Sequence, residues 1–216
     1  MSHLIDYSIG LVCEGKTDQI LLERILSTWT QNPNLRINRL HPKTDESGGW
    51  SKVLKYCESE DFKDVFTQND FIVIQIDTDF MSGDSVGEKY RIDLKDLTGK
   101  ETVNAFRVKI VELIGEEFYG EYLNRIIFAI AINEIECWLL PVYFSDKKAA
   151  KNVNCIDTLN TVLPQKEGFY IDAKDDVYYR KLAKNFRKKK DIQKYAKRQE
   201  SFQLFIDNLQ STIESN

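Results

Sequence analysis

Ile9-Gly10-Leu11-Val12-Cys13 runs directly into Glu14-Gly15-Lys16-Thr17-Asp18, and later in the chain Phe71-Ile72-Val73-Ile74-Gln75-Ile76 runs into Asp77-Thr78-Asp79. A short unbroken apolar run bounded by turn chemistry reads as a strand buried on both faces. After the first run, Ile20, Leu21, Ile25, Leu26 and Trp29 recur at helical spacing. The unit is therefore strand, tight turn, helix, with Thr17 or Asp18 suited to cap the helix start. A third apolar run, residues 125–132, ends in Asn133-Glu134-Ile135-Glu136.

Between these landmarks the pattern alternates. Residues 35–40 alternate apolar and polar, as a strand does, and a Gly48-Gly49 turn precedes a helix over about residues 51–57. The polar stretch 80–90 reads as a loop over the strand ends. Residues 101–117 place Val103, Phe106, Ile110, Leu113 and Ile114 on one helical face, and residues 137–144 read as helical. Strands alternating with helices predict an α/β fold: a mainly parallel, Rossmann-like sheet flanked by helices, with sites at the carboxyl ends of the strands. The division expected is residues 1–146 as the sheet domain and 147–216 as a helical, basic extension packed on it.

Composition bounds the class. The chain has 216 residues, 42% hydrophobic, and a formal charge of −4, which suits one globular domain and argues against a protein that coats nucleic acid through net charge alone. Cys13, Cys57, Cys137 and Cys155 are far apart and the histidines are His3 and His41, so no zinc spacing is present. Reduced core cysteine is the reading for Cys13 and Cys137. The N-terminus lacks the pattern of a secretory leader and the apolar runs are too short to span a bilayer. A cytoplasmic protein with no membrane partner is expected.

Three strands thus end in carboxylates, Glu14, Asp77 with Asp79, and Glu134 with Glu136, and in a parallel sheet those ends share one edge. Like charges gathered there raise one another's pKa. A divalent cation relieves that cost, and hard oxygen ligands suit magnesium or manganese.

These motifs carry a family resemblance. Val12-Cys13-Glu14-Gly15-Lys16-Thr17-Asp18 followed by Ile74-Gln75-Ile76-Asp77-Thr78-Asp79 resembles the Toprim superfamily, which includes topoisomerases, bacterial primases and the OLD (overcoming lysogenization defect) nucleases of phage defence. The resemblance covers residues 9–140. It implies that Glu14 serves as metal ligand or acid/base and that Asp77 and Asp79 hold divalent metal. In the nuclease branch an acidic residue follows the glutamate by four positions, here Asp18, and another lies at a later strand end, here Glu134 or Glu136. Met81 stands where an extended DxDxD has its third acid, which fits the nuclease pattern better than that of topoisomerases and primases. Glu136-Cys137-Trp138-Leu139-Leu140 is similar to small stand-alone bacterial Toprim-like proteins. A two-ion Mg2+ or Mn2+ nuclease is implied, an effector of a phage-defence system. By analogy with the OLD enzymes, it would rely on a separate ATPase or regulatory subunit, or act as a homo-oligomer.

Residues 178–198 are dense in cations. Arg180, Arg187, Lys188, Lys189, Lys190 and Lys194 are candidate phosphate contacts, and Lys181 or Lys184 a candidate for neutralising transition-state charge. The alternative is a solvated helical face. Two other functions share the motifs: a haloacid-dehalogenase-type phosphatase with Asp77 as nucleophile, and a non-catalytic Toprim-like subunit that binds a partner or nucleic acid. Glu14-Gly15-Lys16-Thr17 shares GKT with ATP-binding loops but lacks their upstream glycine.

Overall fold

The computed structural model describes residues 7–82 and 86–214. The N-terminal reading largely falls on residues outside that set, as do residues 83–85 of the loop expected over the strand ends.

Four parallel strands form one sheet in the order β2-β1-β3-β4: β1 Ser8–Val12, β2 Arg36–His41, β3 Phe71–Asp77 and β4 Ile126–Ala131. The fold is Rossmann-like α/β, with helices on both faces. The central strands β1 and β3, and the edge strand β4, are buried along their whole length, as continuous apolar runs require. Side-chain alternation divides two cores. Ile9, Leu11, Cys13, Phe71, Val73, Ile127 and Ala129 face one; Val12, Ile72, Ile74, Ile76, Ile126, Phe128 and Ile130 face the other.

The helix α1 (Lys16–Thr30) covers the first face. The second is covered by α2 (Trp50–Cys57), α3 (Glu60–Asp64) and α4 (Gly99–Ile114), with α5 (Glu116–Tyr122) beside them. The helix expected over residues 101–117 is two helices. Gly115, at φ +96°, takes a backbone conformation that favours glycine and breaks it. Residues 137–144 are a 3-10 turn, Ile135–Leu139, leading into α6 (Leu140–Tyr143).

The chain then returns to the first face. It forms α7 (Cys155–Asn160), α8 (Leu163–Lys166), α9 (Asp176–Ala183), α10 (Lys189–Ala196) and α11 (Glu200–Glu214). Leu159, Leu182, Phe186, Phe202 and Phe205 join the same core cluster as Ile9 and Leu21. Trp138 is the centre of that junction. Its ring stacks on Phe202 and Phe205 at centroid distances of 4.9 and 5.2 Å, and its indole N–H donates to Ser201 Oγ at 2.9 Å. The helix α11 also covers the β4 edge, where Asn208 Oδ1 accepts the Phe128 N–H at 2.8 Å.

Cys137 and Cys155 form a disulfide, which corrects the reading of Cys137 as a reduced core thiol: proximity in the fold outweighs distance in sequence. Cys13 and Cys57 are free and buried. Among the described residues no helix is long and apolar enough to cross a membrane.

Trp138→Ala should cost about 3–5 kcal/mol, the usual penalty for removing a buried tryptophan. Chemical denaturation monitored by far-UV circular dichroism measures it. A cost below about 1 kcal/mol would show that the C-terminal helices do not depend on this anchor.

Candidate active site: a carboxylate cluster around Lys174

The strand order places β1 between β2 and β3, so the chain leaves β1 to one face and leaves β2 to the other. The crevice beyond the carboxyl ends of β1 and β3 is the switch point where α/β sheets bind ligands. Glu14 and Asp77 stand on its two sides.

A buried amide joins them. Gln75, fully buried in β3, accepts the Glu14 N–H on Oε1 at 3.0 Å and donates from Nε2 to Asp77 Oδ1 at 2.9 Å. Glu14 Oε1 in turn accepts the Asp77 N–H at 2.8 Å. Asp77 Oδ1 also accepts the Ile135 N–H at 3.0 Å, which ties in the segment after β4. The Glu14 carbonyl accepts the Gly49 N–H at 2.7 Å. A Cβ on Gly48 would lie 1.6 Å from that same carbonyl oxygen. Gly48 is therefore required by the closeness of the Glu14 loop, and Gly49 by its φ of +128°. Phe80, beside Asp79, stacks on Trp50 at 4.2 Å.

Asp18 lies inside the first turn of α1, 1% exposed. It was expected, with Thr17, to cap that helix. The N-cap is Gly15, with no side-chain cap bond, because the strand-to-helix turn closes too quickly for Thr17 or Asp18 to lie outside the helix. Asp18 is left to face the crevice. Glu136 is fully buried, and its Oε1 accepts the Tyr179 hydroxyl of α9 and an ion pair from Lys174 Nζ at 3.2 Å. Lys174 Nζ also lies 3.9 Å from Asp77 Oδ2. Glu136 Oε2 is buried without a hydrogen-bond partner. A buried carboxylate oxygen without a partner is costly unless a cation or donor reaches it.

Glu134 has a different place. Its Oε1 accepts the N–H groups of Cys155 and Ile156 at 3.1 and 3.3 Å. With Asp79, Asn133, Asn154, Ile156 and Asp157 it lines a cavity of about 350 Å³ beside the crevice. Asp79 is the exposed member of the group.

Burial sets the electrostatics. Burial chiefly, with Asp18 and Asp79 adding to it against the Asp77 N–H bond and Lys174, pushes Glu14 up to about 8. Burial raises Asp18 to about 6, with Lys174 opposing and Glu136 reinforcing the rise. Asp77 is held well above the ordinary carboxylate range by burial and by Asp18, Glu14 and Glu136. Asp79 and Glu134 are raised by burial as well. For Lys174 burial works against the charge, but Glu136, Asp18 and Asp77 outweigh it and raise its pKa. The acids do not close into a tight knot. Among the described residues, the three-residue set of possible ligand atoms lying within 4.8 Å of one another is Glu134, Cys137 and Cys155.

The basic segment is spread along α1. Arg180 and Lys184 line an open groove with Ile20, Glu23, Arg24 and Ser27, while Lys181 lies over the Phe169 ring at 5.2 Å. Further on, the Phe186 carbonyl accepts bonds from Arg24 Nε and Thr28 Oγ1, Arg187 Nε donates to the Lys184 carbonyl, and Lys189 Nζ sits 4.4 Å above Trp29. Trp29 is eleven residues beyond Asp18 on α1, about 16 Å along the axis. Lys188 and Lys190 adjoin Lys189, and Lys194 lies on the same helix α10. Among the described residues, Lys174 is the cation paired with the acids, and Gln75 and Tyr179 support them. The sequence alone assigns none of the three a place beside the acids. A lone lysine in the polar stretch Asp172-Ala173-Lys174-Asp175 carries no pattern, although a glutamine inside an apolar strand is a visible anomaly. Comparisons with protein-family models, curated proteins and solved structures found no match.

The raised carboxyls fix a pH dependence. Between about pH 4, where carboxyls of the unfolded chain titrate, and about pH 8, the upper value for Glu14, the native protein holds protons that the unfolded chain has lost. Stability of the metal-free protein therefore falls as pH rises through that window. Millimolar Mg2+ or Mn2+ should raise the melting temperature more at pH 8 than at pH 6, because protons compete for the same oxygens. A melting temperature flat from pH 5 to 8 in chelator, and unmoved by either ion, would count against the cluster as a cation site. Independently, Gly48→Ala should cost about 1–3 kcal/mol, since the added carbon must displace the Glu14 loop, and should weaken Mn2+ binding in calorimetric titration. Wild-type values for both would show that the loop yields freely.

Proposed function

We propose that the chain is a divalent-metal-dependent nuclease, hydrolysing phosphodiester bonds at the β1–β3 crevice. The observation that carries this reading is the buried group of acids that includes Glu136, whose Oε2 has no hydrogen-bond partner. Its donor set is carboxylate oxygen, which fits magnesium or manganese. Because these acids do not bring three oxygens within 4.8 Å of one another among the described residues, they would hold an ion partly through its waters, as magnesium commonly is held, with Asp18, Asp77 and Glu136 on the buried side and Glu14, Asp79 and Glu134 on the exposed side. Such ions, when bound, polarise the phosphoryl group and lower the pKa of a coordinated water.

The chain's own residues do the rest. Gln75 fixes the Asp77 carboxylate and the Glu14 backbone together, so the two walls of the crevice move as one. Tyr179 holds Glu136 from α9. Lys174, half-exposed and already among the acids, is placed to leave them for a phosphate oxygen and neutralise charge that develops there. The groove of Arg180, Lys184 and Arg24 leads away from Asp18 along α1 towards Arg187 and Lys189, and is suited to a phosphate backbone. Asp77 as phosphatase nucleophile is less well served. It is 3% exposed, and one of its oxygens already accepts two hydrogen bonds.

A cleavage assay on single- and double-stranded DNA and RNA, in Mg2+ and in Mn2+, tests the proposal. Cleavage should require the ion and fall about a hundredfold or more in Asp77→Asn. Lys174→Met should lose activity by a comparable factor while binding Mn2+ at least as tightly as wild type, because a competing cation is gone. No cleavage of any of the four polymers in either ion would sink the reading. If Lys174→Met loses activity only in proportion to its stability, Lys174 is structural.

A further inference from the structure

The disulfide between Cys137 and Cys155 joins the 3-10 turn after Glu134 to the first turn of α7. Both sulfurs are fully buried, and the Glu134 carboxylate is held beside them by the Cys155 and Ile156 N–H groups. One possible ligand atom from each of Glu134, Cys137 and Cys155 lies within 4.8 Å of the other two. Glu134 also opens on the cavity lined by Asp79, Asn133, Asn154, Ile156 and Asp157. We propose that the reduced form of this trio is a second metal site, distinct in chemistry from the acid cluster, which binds a thiophilic divalent cation of the zinc type through Cys137, Cys155 and Glu134.

The ligand set decides the metal class. Two thiolates and a carboxylate select zinc-like ions, whereas the all-oxygen cluster selects magnesium or manganese. Three anionic ligands against a dication leave a net charge of −1, far less costly to bury than two bare thiolates. A tetrahedral ion with sulfur at about 2.3 Å sets its two sulfurs about 3.8 Å apart, so the S–S bond must open first. An external dithiol supplies the two electrons. Its thiolate attacks one sulfur and the S–S bond breaks. Its second thiol then resolves the mixed disulfide, leaving two cysteine thiols and an oxidised dithiol. Both thiols release their protons to solvent as the metal binds. Three protein ligands leave a tetrahedral ion one further position, which a water would fill. In a reducing compartment a cysteine pair of this kind stays as thiols and is more apt to hold metal than a crosslink.

The test uses the full chain, reduced with a phosphine, freed of reductant and titrated with Co2+. A thiolate-to-cobalt charge-transfer band should grow to one equivalent and disappear on adding Zn2+. It should be absent from the oxidised protein and from Cys155→Ser, and Glu134→Gln should weaken Co2+ binding about tenfold or more. In Asp77→Asn the band should persist, so failure of the acid cluster and failure of this site are told apart. Should Cys155→Ser fold poorly, reduced wild-type protein gives the same answer: Zn2+ should slow alkylation of Cys137 and Cys155 specifically, as mapped by mass spectrometry. No band in reduced wild type, a band that survives in Cys155→Ser, or unchanged alkylation of the pair would overturn the proposal.

Discussion

The carboxyl groups of Asp18, Asp77 and Glu136 share a buried crevice with the Lys174 ammonium, and the surrounding architecture is arranged around that excess of acids. Desolvation and mutual repulsion both work against the charged acids. Fixed donors hold the acids in place: the Ile135 N–H and the Gln75 amide on Asp77, the Tyr179 hydroxyl on Glu136, and the Asp77 N–H on neighbouring Glu14. These come from β3, from the segment after β4 and from α9, so the cost of the cluster is spread over elements that are already committed to the core. Apolar residues of similar volume would cost less there, and the group stands at the switch point of a parallel sheet, where ligands bind in folds of this class.

The α/β class, the strands β1, β3 and β4, and the placing of Glu14 and Asp77 at their ends were legible because each rests on local pattern. Unbroken apolar runs announce buried parallel strands, and their acidic ends announce the edge where a site forms. What was illegible depends on contacts between distant segments. Lys174 is nearly a hundred residues from Asp77, and nothing around it distinguishes it from a surface lysine. The Cys137–Cys155 bridge has no spacing that marks it. The dense cations of 180–198 drew attention by number, yet several spend their charge on local partners: Lys189 on Trp29, Lys181 on Phe169, Arg180 near Asp176. A charge run shows where cations are in sequence and says little about which one reaches a site.

The sheet edges are treated unequally. The helix α11 lies along β4, and its Asn208 and Ser201 take the outward Phe128 and Ile132 N–H groups, so that edge is closed to a further strand. At the other edge β2 is half-exposed and carries Arg36, Asn38 and Arg39. Charged side chains on an edge strand discourage pairing with a second chain. The Arg39 guanidinium is in addition held by Glu23 of α1 in two parallel bonds of 2.5 and 2.9 Å, which pins β2 to the helix that begins at the crevice.

Tyr179 and Lys174 approach the acids from the C-terminal third of the chain, while Glu14 and Asp18 come from its start. Synthesis on the ribosome is vectorial, and early segments emerge and fold before later ones exist. A nascent chain that has released its sheet but not residues 174–179 holds an acid crevice with no lysine to balance it and no hydroxyl to fix Glu136. The crevice therefore reaches the charge balance described above only once residues 174–179 have emerged and packed against it.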